Sequence, residues 1–258
     1  MAGERFYEMP ADGSRRSAPA ALRNREPISD VLENWLPACG KVLEIASGTG
    51  EHSVYFAQRF PALDWQPSEI HPDALTSIEA WREASGLRNM LPPLVIDAAS
   101  GKWVIDQADA ILSAKMKSDN CDDQKSKENS GFDAVLNLKM QSDSYNQKTA
   151  EKRGFDVVLN LNMVHISRWS AALGLINGAA RILRPGGALI LYGPWLQAGV
   201  ETAPSNLAFD QQLRQRDPEW GLRRVEDFEA VASERGFALE QTRAMPANNL
   251  MLLFRLER

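Results

Sequence analysis

The sequence predicts an α/β domain with a doubly wound, mostly parallel sheet. Three observations favour this class: short apolar runs alternate with segments of helical periodicity, a glycine-containing turn follows the first run, and acidic residues end the first three runs. A chain of 258 residues is long enough to bury a substantial core in one such domain. We therefore expect one folded domain at 21–258, preceded by a mobile arm at 1–20 that shows no periodicity.

Composition argues against several other classes of protein. The net charge of −5 provides no basic field for bulk nucleic-acid binding. Because Cys39 and Cys121 are the only cysteines, neither a disulfide scaffold nor a cysteine-rich metal site is predicted. No apolar run reaches the roughly 20 residues needed to cross a bilayer, and the N-terminus lacks the apolar core of a signal peptide. We expect a cytoplasmic protein that does not bind membranes.

The first predicted helix follows the arm. Apolar residues at helical spacing over 28–35 predict an amphipathic helix. Pro27 is expected in its first turn, where the missing N–H group has no cost. The polar residues ahead of it, Asn24 and Arg25 among them, have two interpretations: a solvated helix start, or part of a lid over a bound ligand.

The next strand, turn and helix form the strongest local signal. Residues 41–45 predict a buried parallel strand, and 51–60 have helical spacing. The turn between them carries glycines, which let the backbone approach a ligand closely. Because the free N–H groups of the helix face the same space, we expect a nucleotide-like cofactor there. The predicted cofactor-binding residues of this element are Glu44, Ala46, Ser47, Gly48 and Gly50.

The acidic residue at the end of the first strand indicates the class of cofactor. A dinucleotide fingerprint seats a pyrophosphate and carries a third glycine, where this chain has Ser53. Glu44 would repel a pyrophosphate but could receive the cationic amino-acid end of S-adenosylmethionine, directly or through water. The pattern therefore favours a methyl donor over NAD. An ordinary glycine turn is the default interpretation of an isolated Gly-x-Gly, and only the later segments outweigh it.

Two further predicted strands end in carboxylates. The strand at 63–67 leads to Glu69, about 20 residues after Gly48, where a carboxylate can accept hydrogen bonds from both ribose hydroxyls. An exposed carboxylate near a helix start is the alternative. The strand at 92–97 ends in Asp97, which could accept a hydrogen bond from the adenine amino group. Three acidic strand ends would then share the carboxyl edge of the sheet, where open α/β sheets bind ligands.

Residues 115–153 form a polar insertion with few residues that could build a core. Within it, the segment 131–140 is echoed by 154–163, although the predicted sheet has one position for a fourth strand. We assign that position to the second copy, because it continues into a helix. The first copy is then an edge strand, a loosely docked segment, or a competitor for the same position.

The residues after the fourth strand are expected beside the transferable methyl group. Asn162 and Met163 are predicted to contact the cofactor. His165 is predicted to act as a base or to orient an acceptor, because the ordinary pKa of histidine lies near neutrality. A structural histidine is the alternative interpretation.

The remainder of the chain completes the sheet and covers its edge. Residues 194–224 form a long irregular stretch with a short helix near Phe209, which predicts a lid that determines acceptor specificity. The last two strands predict an antiparallel pair. The other predicted elements are a helix at 170–184, a Pro-Gly-Gly turn, a strand at 188–193, a helix at 226–234, and strands at 237–243 and 250–256.

Taken together, the acidic strand ends, the Gly-x-Gly turn and the Leu-Arg-Pro-Gly-Gly segment at 183–187 resemble class I S-adenosylmethionine-dependent methyltransferases. Six segments are similar, more narrowly, to the methyltransferase-like protein 26 family: Arg23–Ile28, Leu43–His52, Trp65–Ser68, Asn162–Ser167, Thr202–Asn206 and Met245–Asn249. The resemblance implies a Rossmann-like, seven-stranded methyltransferase sheet. It also implies that Glu44, Ala46, Gly48, Gly50, Glu69 and Asp97 surround the cofactor. The chain departs from the family in having Glu69 where Asp is frequent, and in the insertion at 115–153.

The sequence thus predicts methyl transfer from S-adenosylmethionine to a small-molecule acceptor held under the lid at 194–224. Because the sulfonium is already reactive, the protein would mainly position the acceptor, and a base is needed only for a protonated oxygen or nitrogen. Two alternatives remain open: a catalytically inactive cofactor-binding protein that acts through a partner, and an NAD-dependent oxidoreductase.

Overall fold

A computed structural model describes residues 15–100, 103 and 154–257 of the chain. The strands in these ranges are β1 Gly40–Ile45, β2 Leu63–Glu69, β3 Leu94–Val95, β4 Phe155–Leu161, β5 Leu183–Gly193, β6 Trp195–Leu196, β7 Arg223–Arg224, β8 Phe237–Met245 and β9 Asn249–Leu256. The helices are α1 Pro19–Trp35, α2 Glu51–Arg59, α3 Pro72–Ser85, α4 Trp169–Ile182, α5 Pro204–Arg216 and α6 Val225–Ser233.

The main sheet has seven strands in the order β3-β2-β1-β4-β5-β9-β8. The first five are parallel, whereas β9 runs antiparallel to both β5 and β8. This arrangement confirms the predicted doubly wound α/β class with an antiparallel C-terminal pair. The chain leaves β1 to one side for β2 and returns on the other side as β4. Open α/β sheets bind ligands at the carboxyl ends of the two strands where the order reverses in this way.

The central strands are continuous apolar runs because both of their faces are buried in the core. Val42, Leu43, Val158, Leu159 and Ile190 are all fully buried, as expected where helices cover both faces of a parallel sheet. On one face, α2 packs its aromatic side chains against β2, with the rings of Phe56 and Trp65 5.4 Å apart. These contacts fix the distance between α2 and the strand ends.

The start of the domain differs from the prediction. Helix α1 begins at Pro19, and Pro27 lies inside it rather than in its first turn. Proline in a helix interior removes one backbone hydrogen bond, but the buried stripe of Ile28, Leu32 and Trp35 stabilises the helix in spite of that loss. The helix therefore extends back over Asn24.

The end of the predicted arm is attached to the domain. The N–H group of Arg16 donates to Ser77 Oγ at 2.8 Å, and the indole of Trp81 donates to the Arg16 carbonyl at 3.0 Å. The carboxylate of Glu51, at the start of α2, accepts from Ser17 Oγ at 2.8 Å and from the N–H group of Ala18. The mobile arm was thus predicted too long, while 1–14 lie outside the described residues.

Two later elements also differ in extent. The predicted short helix near Phe209 is the 13-residue α5, and β3 is limited to two residues rather than the six predicted. The Pro-Gly-Gly turn is a bulge within β5, because Leu183 already pairs with Phe155 before Ala188 pairs with Val157.

The second repeat copy forms β4, between β1 and β5, as predicted. The predicted insertion at 115–153, with the first copy at 131–140, lies outside the described residues. Among the helices that the structure describes, none combines the length and apolar character required to cross a membrane.

Candidate cofactor and acceptor site

The turn between β1 and α2 is built from left-handed backbone. Ala46, Gly48 and Gly50 have φ angles of 56°, 58° and 88°. A Cβ atom on Gly50 would lie 2.9 Å from Ile78 Cα, so this glycine permits the packing of α3. A Cβ atom on Gly48 would meet no atom within 4 Å. Gly48 therefore leaves space beside its backbone that the described residues do not fill, as do other turn glycines of this chain such as Gly186.

Glu69 is held beside this turn. Its Oε2 atom accepts a hydrogen bond from the N–H group of Gly48 at 3.0 Å, and its Oε1 atom accepts from Ile70 N–H at 2.8 Å. These bonds fix the orientation of a carboxylate whose residue is only 6% exposed. The structure therefore brings Gly48 and Glu69 together, as the spacing of the sequence predicts.

Glu44 ends β1 beneath the turn and is 1% exposed. Its Oε2 atom accepts hydrogen bonds from Trp65 Nε1–H and Ser53 Oγ–H, both at 2.7 Å. Burial raises the pKa of Glu44 to about 7, although the two hydrogen bonds act in the opposite direction. The described contacts make Glu44 a brace between β1, β2 and α2, a role that the sequence prediction did not include.

Ser47 ties the ends of β1 and β2 together. The N–H group of Ser47 donates to the Ser68 carbonyl at 2.8 Å, and the N–H group of Ser68 donates to Ser47 Oγ at 3.1 Å. Asp97, predicted near the adenine, is exposed after β3, and its Oδ1 atom accepts from Ala99 N–H at 2.8 Å. Its other oxygen has no described contact, so Asp97 is placed at the sheet edge without a fixed second partner.

The segment after β4 lies beside the end of β5. Asn162 has left-handed backbone, with φ of 60°, and its N–H group donates to the Tyr192 carbonyl at 2.9 Å. Met163 follows and is 8% exposed. The geometry turns the chain sharply, so that His165 faces Gly193, where a Cβ atom would lie 3.2 Å from His165 Nδ1.

His165 is neutral in this environment. Its residue is 6% exposed, and its ring packs edge-on against Phe209 with 5.7 Å between centroids. Burial, together with the positive charge of Arg223, lowers the pKa of His165 to about 3. This shift favours the second predicted role of His165, orientation of an acceptor, over its role as a base. The sequence could not show that α5 and β7 bury the ring. A neutral imidazole can still accept a hydrogen bond from an acceptor molecule.

A polar network that the sequence did not predict joins α1 to the sheet. Asn24 Oδ1 lies 2.7 Å from His52 Nε2. Burial raises the pKa of the Tyr192 hydroxyl, and the nearby Asn24 side chain acts in the opposite direction. Asn249 Nδ2 donates to the same hydroxyl at 3.0 Å. Burial and the nearby charge of Arg25 lower the pKa of His52 to about 4, so this imidazole is neutral as well. Three of the four residues, Asn24, His52 and Asn249, come from separate segments of the resemblance, which was the only signal in the sequence.

A narrow crevice lies next to this network at the carboxyl ends of β4 and β5, and in this structure it is too tight to hold a water molecule. It is lined by Val164, His165, Tyr192, Gly193, Pro194, Trp195 and Arg223. The short strands β6 and β7, which lie in the predicted lid, pair Trp195 with Arg223. Residues of the predicted lid at 194–224 therefore lie beside His165.

Comparison with known proteins supports this description of the fold. A family model described as "Protein of unknown function (DUF938)" matches residues 15–121 and 102–256. An O-methyltransferase family protein from Burkholderia thailandensis matches with a TM-score of 0.62 at 16% identity, over 92% of this chain and 57% of that chain. The match to a structure of PigF with SAH has a TM-score of 0.55 at 12% identity, over 83% of this chain and 50% of that one.

A putative sarcosine dimethylglycine methyltransferase from Galdieria sulphuraria is similar over nearly its whole length. Its TM-score is 0.60 at 13% identity, with 97% of this chain and 92% of that chain covered. By contrast, this chain spans little more than half the length of the Burkholderia protein. At these identities the comparisons establish the fold, which is shared with methyltransferases, and leave the reaction to be inferred from the site.

Proposed function

Because this chain belongs to the family described as "Protein of unknown function (DUF938)" and has a fold shared with methyltransferases, we propose that it transfers a methyl group from S-adenosylmethionine to a small-molecule acceptor. The observation that carries this proposal is the open backbone of Gly48 held against the Glu69 carboxylate. The two residues form a cradle in which the Cβ position of Gly48 faces open space and the Glu69 carboxylate is a hydrogen-bond acceptor beside it.

The cradle fits the ribose of this donor. The oxygens of Glu69 retain lone pairs beyond those used by the backbone, so they can accept hydrogen bonds from ribose hydroxyls. Because dinucleotide sites bind ribose in the same way, the preference for the methyl donor rests on Ser53 in place of a third glycine and on the fold shared with methyltransferases. The proposed cofactor-binding residues are Asn24, Glu44, Ala46, Ser47, Gly48, Gly50, Glu69, Asp97, Asn162 and Met163.

When bound, S-adenosylmethionine supplies an electrophilic methyl group. The residues of the chain then have to exclude water and hold the acceptor in line with that group. We assign His165 to orientation of the acceptor, because its lowered pKa makes it a weak base at neutral pH. The acceptors that suit such a site carry a nucleophilic atom that is already deprotonated or has a free lone pair.

The narrower relationship to the methyltransferase-like protein 26 family is part of the proposal. Segments that carry this resemblance contact one another, which supports the relationship. Asn24 pairs with His52, and Asn206 Nδ2 donates to the Asn248 carbonyl at 2.9 Å. The proposal also includes a cytoplasmic location, a single domain at 21–258 and no bulk binding of nucleic acid.

Donor binding and product formation test the proposal separately. S-adenosylmethionine with a labelled methyl group is first titrated into the protein by calorimetry and then incubated with protein and cell extract. We expect binding and a labelled small molecule. Binding without labelled product would favour the catalytically inactive alternative, and binding of NADH without binding of the methyl donor would favour the oxidoreductase.

A further inference from the structure

The strap, which we define as residues 15–18, is bonded to the two helices that pack beside the turn between β1 and α2. On α3, Ser77 Oγ accepts a hydrogen bond from the N–H group of Arg16 at 2.8 Å. On α2, the carboxylate of Glu51 accepts from Ser17 Oγ at 2.8 Å. Ser77 is fully buried and Glu51 is 4% exposed, so both partners of the strap are shielded from bulk water.

Both partners of the strap also hold Thr49, which lies in the turn. Ser77 Oγ donates to the Thr49 carbonyl at 2.8 Å, and Thr49 Oγ1 donates to Glu51 Oε2 at 3.4 Å. The Ser77 hydroxyl thus accepts from the strap and donates to the turn, and each of two hydrogen bonds in such a chain polarises the other. The strap and the turn are therefore joined through two shared side chains.

The turn depends on such contacts because its glycines impose no conformation of their own. Thr49 lies between Gly48 and Gly50, whose φ angles are 58° and 88°. Glycine loses more conformational freedom on ordering than any other residue, so an ordered glycine turn needs restraints from its surroundings. Bonds to the carbonyl and to the hydroxyl of Thr49 supply them. They favour the conformation in which the Gly48 N–H group bonds Glu69.

We propose that Ser77 and Glu51 are positioning residues for the methyl donor, through which docking of the strap and binding of the donor stabilise each other. The inference rests on the proposed function, since the donor is the ligand that the cradle of Gly48 and Glu69 would hold. A ligand that binds only the ordered turn also stabilises the contacts that order it. By reciprocity, the docked strap raises donor affinity by the factor by which the donor favours docking.

Tryptic cleavage after Arg15 and Arg16 measures how frequently the strap undocks, because a protease cuts backbone that has been released locally. The full chain is digested with and without saturating S-adenosylhomocysteine, whose affinity is measured first by calorimetry. Mass spectrometry follows cleavage at these two sites. We expect the ligand to slow cleavage there about tenfold.

The Ser77→Ala substitution cuts one link between the strap and the turn. It should weaken binding of S-adenosylhomocysteine about tenfold, remove most of the protection of the strap, and speed amide exchange of Gly48 and Gly50 in the free protein. Ser29→Ala is the matched control, because Ser29 is also a buried helical serine, and its Oγ donates to the Glu26 carbonyl at 2.8 Å. Both variants lose a hydrogen bond, but the control should change none of the three readouts.

The Glu51→Gln substitution tests the second link. Glutamine has one acceptor oxygen where glutamate has two, so it cannot bond Ser17, Ala18 and Thr49 in the same arrangement. We expect all three readouts to change in the same direction as in Ser77→Ala. The control Glu226→Gln also lies in the first turn of a helix and accepts a backbone N–H bond, and it should leave them unchanged. Unchanged readouts in Glu51→Gln would remove Glu51 from the proposal.

Separate readouts distinguish failure of this inference from failure of the proposed function. If S-adenosylhomocysteine binds but does not slow cleavage of the strap, or if Ser77→Ala and Ser29→Ala behave alike, the coupling is wrong and the methyltransferase proposal stands. If S-adenosylhomocysteine does not bind the wild-type protein, the proposed function fails. The link between strap and turn is then decided by the amide exchange of Gly48 and Gly50, which requires no ligand.

Discussion

The Glu44→Gln substitution should remove a pH-dependent loss of stability. Glu44 is 1% exposed, and burial raises its pKa from 4.5 to about 7. The folded state therefore holds this proton more tightly than the unfolded state between those two pH values. Its stabilising contribution is complete below pH 4.5 and is lost as the pH rises through 7.

The magnitude follows from the size of the pKa shift. At about 1.4 kcal/mol per pKa unit, the change from 4.5 to about 7 corresponds to about 3 kcal/mol in the free energy of unfolding. Glutamine is uncharged and its carbonyl can still accept hydrogen bonds from Trp65 and Ser53. We therefore expect the variant to match the wild-type protein near pH 4.5 and to exceed its stability by up to about 3 kcal/mol at pH 8.

Urea unfolding at pH 5, 6, 7 and 8 measures this difference. Two buried histidines with lowered pKa values, His52 and His165, produce the opposite trend, since stability falls as the pH drops below 6.5. Both proteins share that trend, so subtracting one stability curve from the other isolates Glu44. Glu240→Gln, at an exposed site, is the matched control. A difference that does not grow with pH, or a variant less stable than wild type at pH 8, would refute the reasoning.

Three further predictions concern the cradle, the crevice and the sheet. Gly48→Ala should weaken binding of S-adenosylmethionine about tenfold, as measured by calorimetry. Gly186→Ala, a control with similar left-handed backbone and equally open surroundings, should destabilise the chain by about 1 kcal/mol without changing donor binding. Equal effects of the two substitutions on binding would contradict the role of Gly48 in the cradle. His165→Ala should lower turnover more than His165→Gln, which retains a hydrogen-bond acceptor, and unchanged turnover in the alanine variant would remove His165 from the reaction. Amide exchange should be slow over 156–162, of which 156–161 lie in β4, and faster over 132–138, while the reverse order would assign the fourth strand to the other repeat copy.

Local sequence patterns were sufficient to predict the main sheet and the contact that forms the cradle. The contact between Gly48 and Glu69 follows from two strand ends on adjacent parallel strands, and both strand ends are visible in the sequence. The end of α3 at Gly86 is equally local, because its φ of 64° is the left-handed conformation that glycine adopts after a helix. Wherever neighbouring residues determine the structure, the sequence was informative.

Long-range packing accounts for what the sequence could not predict. Pro27 is an ordinary signal for a helix start, and only the contacts of α1 with the domain explain its position inside a helix. The pKa of His165 depends on Phe209 and Arg223, which follow it by more than 40 positions. The position of Arg223 depends likewise on the pairing of β6 with β7, two strands too short to produce a periodic pattern.

The pairing of β1 with β4 has a consequence for how the chain tolerates extra length. Lys41 and Asp156, which hydrogen-bond across these strands, are 115 positions apart, so the domain must close a very long loop whether or not 115–153 are present. Closure entropy grows only with the logarithm of loop length, and the additional residues add about 0.4 kcal/mol to its cost. Residues can therefore be inserted into the connection before β4 during evolution with almost no loss of stability.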